Sequence, residues 1–135
     1  MAKLATLLAY RNSQVITHYS YKNPHLTCSE VEQNFEDLLA WLWLKTYRQS
    51  TGRSTYLFGP LLALDEMWHI FILHTEDYCN FCEMYFGTYL HHTVEPIGYE
   101  HQLTEEELDD FLQDCFKFLG KEWVLRHFSS LLMEA

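Results

Sequence analysis

Apolar residues recur at helical spacing along most of this chain, and no segment gives a convincing strand. The clearest stripe consists of five residues at three- and four-residue intervals: Val31, Phe35, Leu38, Leu42 and Trp43. This spacing predicts a helix over about 30–48. Ser29 and Glu32 fit a capping box at its start, in which each side chain satisfies a free backbone N–H of the first turn.

Other helices are predicted before and after this stripe. The N-terminal segment has moderate helical spacing and ends at a connector that contains Asn23-Pro24. From Pro60 onward the apolar residues lie on all faces, which is typical of a buried central helix. The pattern leaves open whether residues 60–86 form one helix or two, with Phe86-Gly87 ending or bending the element.

The C-terminal third predicts two more helices. Thr104 and Glu107 fit a second capping box, and Gly120 ends the helix that follows. The last helix holds four further residues: Trp123, Val124, His127 and Leu131. The expected fold is therefore all-α, a compact bundle of about five helices with a buried central helix, and residues 1–135 form a single domain.

Composition narrows the classes of function. The chain has 135 residues, of which 48% are hydrophobic and 16% aromatic, enough for a real core. Its formal net charge of −10 disfavours binding to phosphate backbones and to anionic lipid. Lys45, Arg48 and Arg53 allow a local basic patch, although a solvated helix end is the preferred interpretation of these three residues.

The expected location is cytoplasmic. No apolar run reaches the length of a membrane span, and the start of the chain lacks a secretory signal pattern. The cysteines are therefore expected to be reduced thiols. They are Cys28, Cys79, Cys82 and Cys115.

The stretch LDEMWHIFILHTEDYCNFC concentrates the candidate chemistry. Asp65 and His69 are four residues apart, so on a helix they share one face. Such a pair either holds a metal ion or moves protons, or it is an ordinary buried hydrogen bond, and the latter is favoured. His69 and His74 are five apart, about 140° around a helix, so the segment is not an H-E-x-x-H zinc motif.

The Cys79-x-x-Cys82 pair has the spacing of half a zinc knuckle, which the doublet His91-His92 would have to complete. Small packing residues are the more common explanation of such a helical pair. Two sets follow from this segment. The candidate metal ligands are Asp65, His69, Cys82, His91 and His92. The wider polar cluster adds Trp68, His74 and Tyr78.

These residues carry a resemblance to a known family. Asp65-x-x-Trp68-His69, followed by His74, Tyr78, Phe81-Cys82, Phe86-Gly87 and His91-His92, resembles the glycine-rich-domain-containing-protein-like family, and the chain would be a small stand-alone bacterial-type member. The resemblance is strong over about Leu64 to Pro96. It implies that six residues occupy motif positions and that Cys79 does not. The six are Asp65, Trp68, His69, Tyr78, Cys82 and either His91 or His92. It implies no activity.

Two functions remain open. In the first, the chain is a helical protein-interaction or scaffold domain that contains a buried His/Asp/Cys cluster and binds a protein partner. In the alternative, the same cluster binds zinc, with Asp65 or Glu66 as a base if the metal activates water for hydrolysis.

Overall fold

The computed structural model describes the backbone of residues 1–133 and the side chains of residues 1–129. These residues form seven α-helices and no strand: α1 (Leu4–Leu8), α2 (Ser13–Lys22), α3 (Cys28–Ser50), α4 (Leu62–Leu73), α5 (Thr75–Phe86), α6 (Glu105–Asp114) and α7 (Lys121–Met133). The all-α class is confirmed, but about five helices was too few. The predicted packing of Leu131 lies outside the described side chains.

The longest helix, α3, forms the centre of the structure. It packs against α1, α2 and α4 and against a π-helical segment, Cys115–Leu119. The helix predicted from Pro60 is not the buried central one, because α4 exposes one face that includes Leu62, His69 and Leu73. Pro60 does lie in the first turn, as predicted.

The N-cap of helix α3 lies two residues before the predicted N-cap, Ser29. Its N-cap is Thr27, whose hydroxyl accepts from the Glu30 N–H while the Glu30 carboxylate accepts from the Thr27 N–H. Ser29 and Glu32 lie inside the helix, so the box predicted for them is wrong. The Thr104–Glu107 box at α6 is confirmed.

The segment over 60–86 is two helices separated by His74. A short 3₁₀ turn, Gly59–Leu61, leads into α4. The His74 backbone is non-helical, with φ −84° and ψ 69°, and its N–H donates to the Phe71 carbonyl. Its own carbonyl accepts from the Tyr78 N–H at 2.8 Å. His74 therefore ends α4 and starts α5 without a glycine or proline.

Gly87 ends α5 and begins the long connection to α6. Its φ of +70° is the left-handed conformation that a glycine adopts at no steric cost. Residues 88–104 form no helix, and within them Leu90 is buried while most others are exposed. This buried leucine fixes the part of the connection that carries His91 and His92.

Helix α7 is attached to α3 through Asp37. The Asp37 side chain is 2% exposed and accepts from Arg126 at 2.7 and 2.9 Å and from His127 Nε2 at 2.8 Å. The Trp123 indole donates to the Asp37 carbonyl at 3.2 Å. These contacts attach α7 to the first half of α3.

No helix in the described part of the chain combines the length and the apolar character that crossing a bilayer requires.

Candidate functional site

Asp65, His69 and His92 form one cluster at the surface of α4. Each offers a ligand atom, and these atoms all lie within 4.8 Å of one another. Asp65 Oδ1 is 2.6 Å from His92 Nε2, and Asp65 Oδ2 is 3.6 Å from His69 Nδ1. The two imidazole rings lie 4.4 Å apart. The Asp65 carboxylate thus contacts two histidines that come from different parts of the chain.

The hydrogen bonds of the two histidines define which of their ring nitrogen atoms has a lone pair free to bind a metal ion. His69 Nδ1 lies 2.7 Å from the Asp65 carbonyl oxygen, and because a carbonyl only accepts, Nδ1 carries the hydrogen. The lone pair of His69 is therefore on Nε2. In His92 the Nδ1 atom is closed off from solvent without a hydrogen-bond partner among the described residues, so Nε2 is the atom that faces Asp65.

Buried aromatic residues support the cluster from behind. The Trp68 ring stacks on His92 at 4.2 Å and also packs against Trp41 of α3 at 5.3 Å. Its indole donates to the Tyr78 hydroxyl at 2.9 Å, and that hydroxyl donates to the Leu90 carbonyl at 2.5 Å. This chain of bonds holds the backbone two residues before His92.

The pKa of Tyr78 is raised, chiefly by burial, so the hydroxyl keeps its hydrogen and donates it to the Leu90 carbonyl. Asp65, Trp68 and Tyr78 thus share a structural role, because each of them helps to hold His92 in position.

The other predicted residues lie outside this group. Cys82 is buried beside Tyr78 and the Leu90 backbone, where burial raises the pKa of its thiol and disfavours the thiolate that zinc binds. Cys79 is exposed on α5, and His91 is exposed with its ring 4.6 Å from Tyr89. Of the five candidate ligands, the structure brings together Asp65, His69 and His92.

His74 contacts a different histidine. Its Nε2 is 3.0 Å from His18 Nδ1, a hydrogen bond that ties α2 to the junction of α4 and α5. Glu66, the alternative base, accepts at 3.2 Å from Asn23, the C-cap residue of α2. No spacing rule relates His18 to His74, because the two are 56 positions apart and meet only through the fold.

The cluster is accessible to a solute. The side chain of His69 is 54% exposed, that of Asp65 29% and that of His92 16%. One anionic oxygen and two imidazole nitrogens are ligand types that zinc accepts. The arrangement is suited to hold a divalent cation at the surface, or to form an ion-pair network when the histidines are protonated.

The fold and this cluster define an all-helical protein with a carboxylate and two imidazoles on one surface. The chain belongs to the UCP032817-like family, an uncharacterised family whose model matches residues 3–122. The match includes the whole cluster and its supporting residues. No curated protein and no solved structure matches the chain.

The family match corrects one prediction. The resemblance to the glycine-rich-domain-containing-protein-like family is wrong, because the model that matches belongs to another family. The motif residues are explained by contacts in the structure, namely the ion pairs of Asp65 and the hydrogen bonds of Trp68 and Tyr78. Because the family is uncharacterised, a function has to be argued from this geometry.

Proposed function

We propose that this protein binds one divalent transition-metal ion, with zinc as the expected ion, through Asp65, His69 and His92. The observation that carries the proposal is the convergence of their three ligand atoms within 4.8 Å. Tetrahedral zinc with bonds of 2.0–2.1 Å needs ligand atoms about 3.3 Å apart. Asp65 Oδ1 and His92 Nε2 are 2.6 Å apart and would have to separate by about 0.7 Å to share the ion. His69 would bind it through Nε2, the nitrogen that does not donate to the Asp65 carbonyl.

The supporting hydrogen bonds predict the strength of binding. His69 has the backing that metal-binding histidines need, since its Nδ1–H donates to a backbone carbonyl. The second nitrogen of His92 has no such acceptor among the described residues. Loss of such a partner weakens metal binding by about 10- to 100-fold. We expect an affinity below that of a closed four-ligand structural site.

Three protein ligands leave a coordination position for water, as in zinc hydrolases. The geometry of the three ligands supports metal binding alone and defines no substrate, so the proposal stops at metal binding.

Zinc titration of chelator-treated protein tests this function. We expect one zinc ion per chain, measured by isothermal titration calorimetry. Asp65→Asn, His69→Ala and His92→Ala should each weaken binding by about 10-fold or more, since each removes one of three ligands. His25→Ala is the matched control, because His25 is exposed and outside the cluster.

His91→Ala provides a sharper control, because His91 is the immediate neighbour of His92. It should bind zinc like the wild type. Equal binding by wild type and by all three ligand variants would refute the site, and so would loss of binding in His91→Ala. Circular dichroism of the metal-free variants confirms that each remains helical.

A second candidate function, binding a protein partner, is favoured by the connection between α5 and α6. The three most exposed apolar side chains of this connection are Val94 (79%), Ile97 (95%) and Tyr99 (83%). Exposed apolar groups of this size, brought together by a short turn, are typical of contact surfaces.

The turn is held by its own polar groups. The Tyr99 N–H donates to the Pro96 carbonyl at 3.0 Å, and the Glu100 carboxylate accepts from the Gly98 N–H at 3.1 Å. Glu95 accepts from the His101 N–H at 2.6 Å. A preformed turn loses little entropy on binding. Glu95 and Glu100 flank the apolar residues, so the partner we expect is a protein with an apolar groove and a basic rim.

Site-specific photo-crosslinking in cells tests this candidate. A photoreactive residue at Ile97 should give discrete protein adducts, and a second charge-reversed form with Glu95→Lys and Glu100→Lys should lose them. Tyr21 is the control position, since it is 85% exposed on α2. The same adducts from both positions, or adducts that survive charge reversal, would contradict a specific partner.

A further inference from the structure

A polar cavity lies between the last turns of α3 and the loop that follows. Its volume is about 190 Å³, and five residues line it: Lys45, Gln49, Arg53, Ser54 and Thr55. Every one of them has a side chain that donates hydrogen bonds, and none is acidic. At about 30 Å³ per water molecule, the space exceeds what one or two waters would fill.

The wall of the cavity is fixed by a buried arginine. Arg48 is 1% exposed, and its Nε donates to the Ser54 carbonyl at 2.8 Å, which holds the loop against α3. Its guanidinium pairs with Asp114 at 2.7 Å and with Asp110 at 3.0 Å. The predicted solvated helix end is therefore wrong for Arg48.

Arg53 belongs to the same network and also lines the cavity. It lies 2.8 Å from Asp114 and 3.3 Å from Asp110. Two guanidinium groups thus face two carboxylates, and their formal charges cancel. The pairing already restricts the Arg53 side chain, so this side chain loses less conformational entropy when a ligand binds.

Three of the lining side chains are partly buried, and two of these have no partner among the described residues. Lys45 is in no ion pair with a described carboxylate, and burial lowers the pKa of its ammonium group. The hydroxyl oxygen of Thr55 is closed off from solvent without a hydrogen bond. An unneutralised cation and an unused hydroxyl therefore lie beside one cavity, and the buried hydroxyl is costly to leave without a partner.

The carbonyl groups at the end of α3 do not compete for this space. The Arg48 carbonyl accepts from the N–H groups of Thr51 and Arg53 and from the Thr51 hydroxyl. The Gln49 carbonyl accepts from the Gly52 N–H. These two carbonyl groups of the last helical turn are thus already hydrogen-bonded by the residues that follow them.

We propose that this cavity binds a phosphate group, either as free phosphate or as a small phosphate monoester. An ammonium, a guanidinium, an amide and two hydroxyls supply donors from several directions, which suits a tetrahedral anion with three or more acceptor oxygens better than a planar carboxylate. Lys45 provides the net positive charge, and the Thr55 hydroxyl reaches the ligand when the Thr55 side chain turns toward the cavity. The proposal involves none of the metal ligands and is independent of zinc binding.

Titration of the metal-free protein with sodium phosphate at constant ionic strength tests the site, followed by chemical shifts in ¹⁵N-edited NMR spectra. We expect saturable shifts at residues 45–55. Lys45→Gln should weaken phosphate binding by about 10- to 100-fold, because a charge-assisted bond is lost. Lys22→Gln, at an exposed lysine of α2, is the matched control and should bind like the wild type.

Thr55→Val separates binding from folding. It keeps the side-chain shape but removes the unpaired hydroxyl, so stability in phosphate-free buffer should stay equal or rise while phosphate binding weakens. A loss of stability would show that the hydroxyl has a structural partner and would overturn its role here.

Parallel titrations with acetate and with glycerol phosphate identify the ligand class. Tighter binding of glycerol phosphate assigns the cavity to a monoester, and tighter binding of phosphate assigns it to the free ion. Acetate binding as tightly as both, absence of saturation by both phosphates, or unchanged binding in Lys45→Gln would each overturn the proposal.

Discussion

Tyr78→Phe is expected to lower the free energy of unfolding by about 2–6 kcal/mol. The substitution removes only the hydroxyl, but that group accepts from the Trp68 indole and donates to the Leu90 carbonyl, both in the core. Each buried group left without a partner costs about 1–3 kcal/mol. Urea denaturation followed by fluorescence measures the change.

The same substitution should also weaken zinc binding, because Leu90 no longer fixes the backbone that carries His92. Tyr89→Phe is the matched control, since Tyr89 is 39% exposed and its hydroxyl has no hydrogen bond among the described residues. Equal stability of the two variants would mean that the Trp68–Tyr78–Leu90 chain does not support the site. A loss of stability without any change in zinc affinity would show that these hydrogen bonds stabilise the fold but do not position the metal ligands.

Asp37→Ala is expected to lower the free energy of unfolding by about 3 kcal/mol at neutral pH. Removing one partner of a buried ion pair costs about 3–5 kcal/mol. The lower end applies because the Arg126 side chain is 37% exposed and can turn to solvent, whereas His127 is 8% exposed and cannot. Asp109→Ala is the control, at an exposed aspartate whose carboxylate accepts from Gln113.

The effect of Asp37→Ala should depend on pH. Burial by itself raises the pKa of Asp37, but hydrogen bonds from His127 and Arg126 and their charges outweigh it, so the pKa lies below its ordinary value. A lowered pKa in the folded state contributes stability above the unfolded value of about 3.9, and that stability disappears as pH falls through the folded value. The difference between wild type and variant should therefore be full at pH 7 and shrink below about pH 4. A difference that grows on acidification would contradict this.

The local part of the candidate site was predictable, because Asp65 and His69 are one helical turn apart. His92 is 27 positions from Asp65 and lies in a connection without helical periodicity. The sequence could propose it but had no basis to separate it from His91 or Cys82. Only the packing of Leu90 and Trp68 places the second imidazole of the doublet inward.

The predicted helix boundaries were wrong where two sequence patterns overlapped. Thr27–Glu30 and Ser29–Glu32 both satisfy the spacing of a capping box, and the earlier start gives α3 two more residues of helical hydrogen bonding. The break between α4 and α5 at His74 could not be predicted from a glycine or proline, because neither occurs there. Arg48 looked like a solvated helix end because its partners Asp110 and Asp114 come 62 and 66 positions later. Such long-range pairings are set by the fold.

The two ends of the Cys-x-x-Cys pair lie in unlike surroundings, since Cys79 is exposed on α5 while Cys82 is in the core. Maleimide reagents should therefore modify Cys79 and the exposed Cys28 in the folded protein and reach Cys82 and Cys115 only after denaturation. In aerated stocks without a reductant, these outward thiols will join neighbouring molecules into covalent oligomers. A Cys28→Ser, Cys79→Ser form would avoid that artefact and leave the interior untouched.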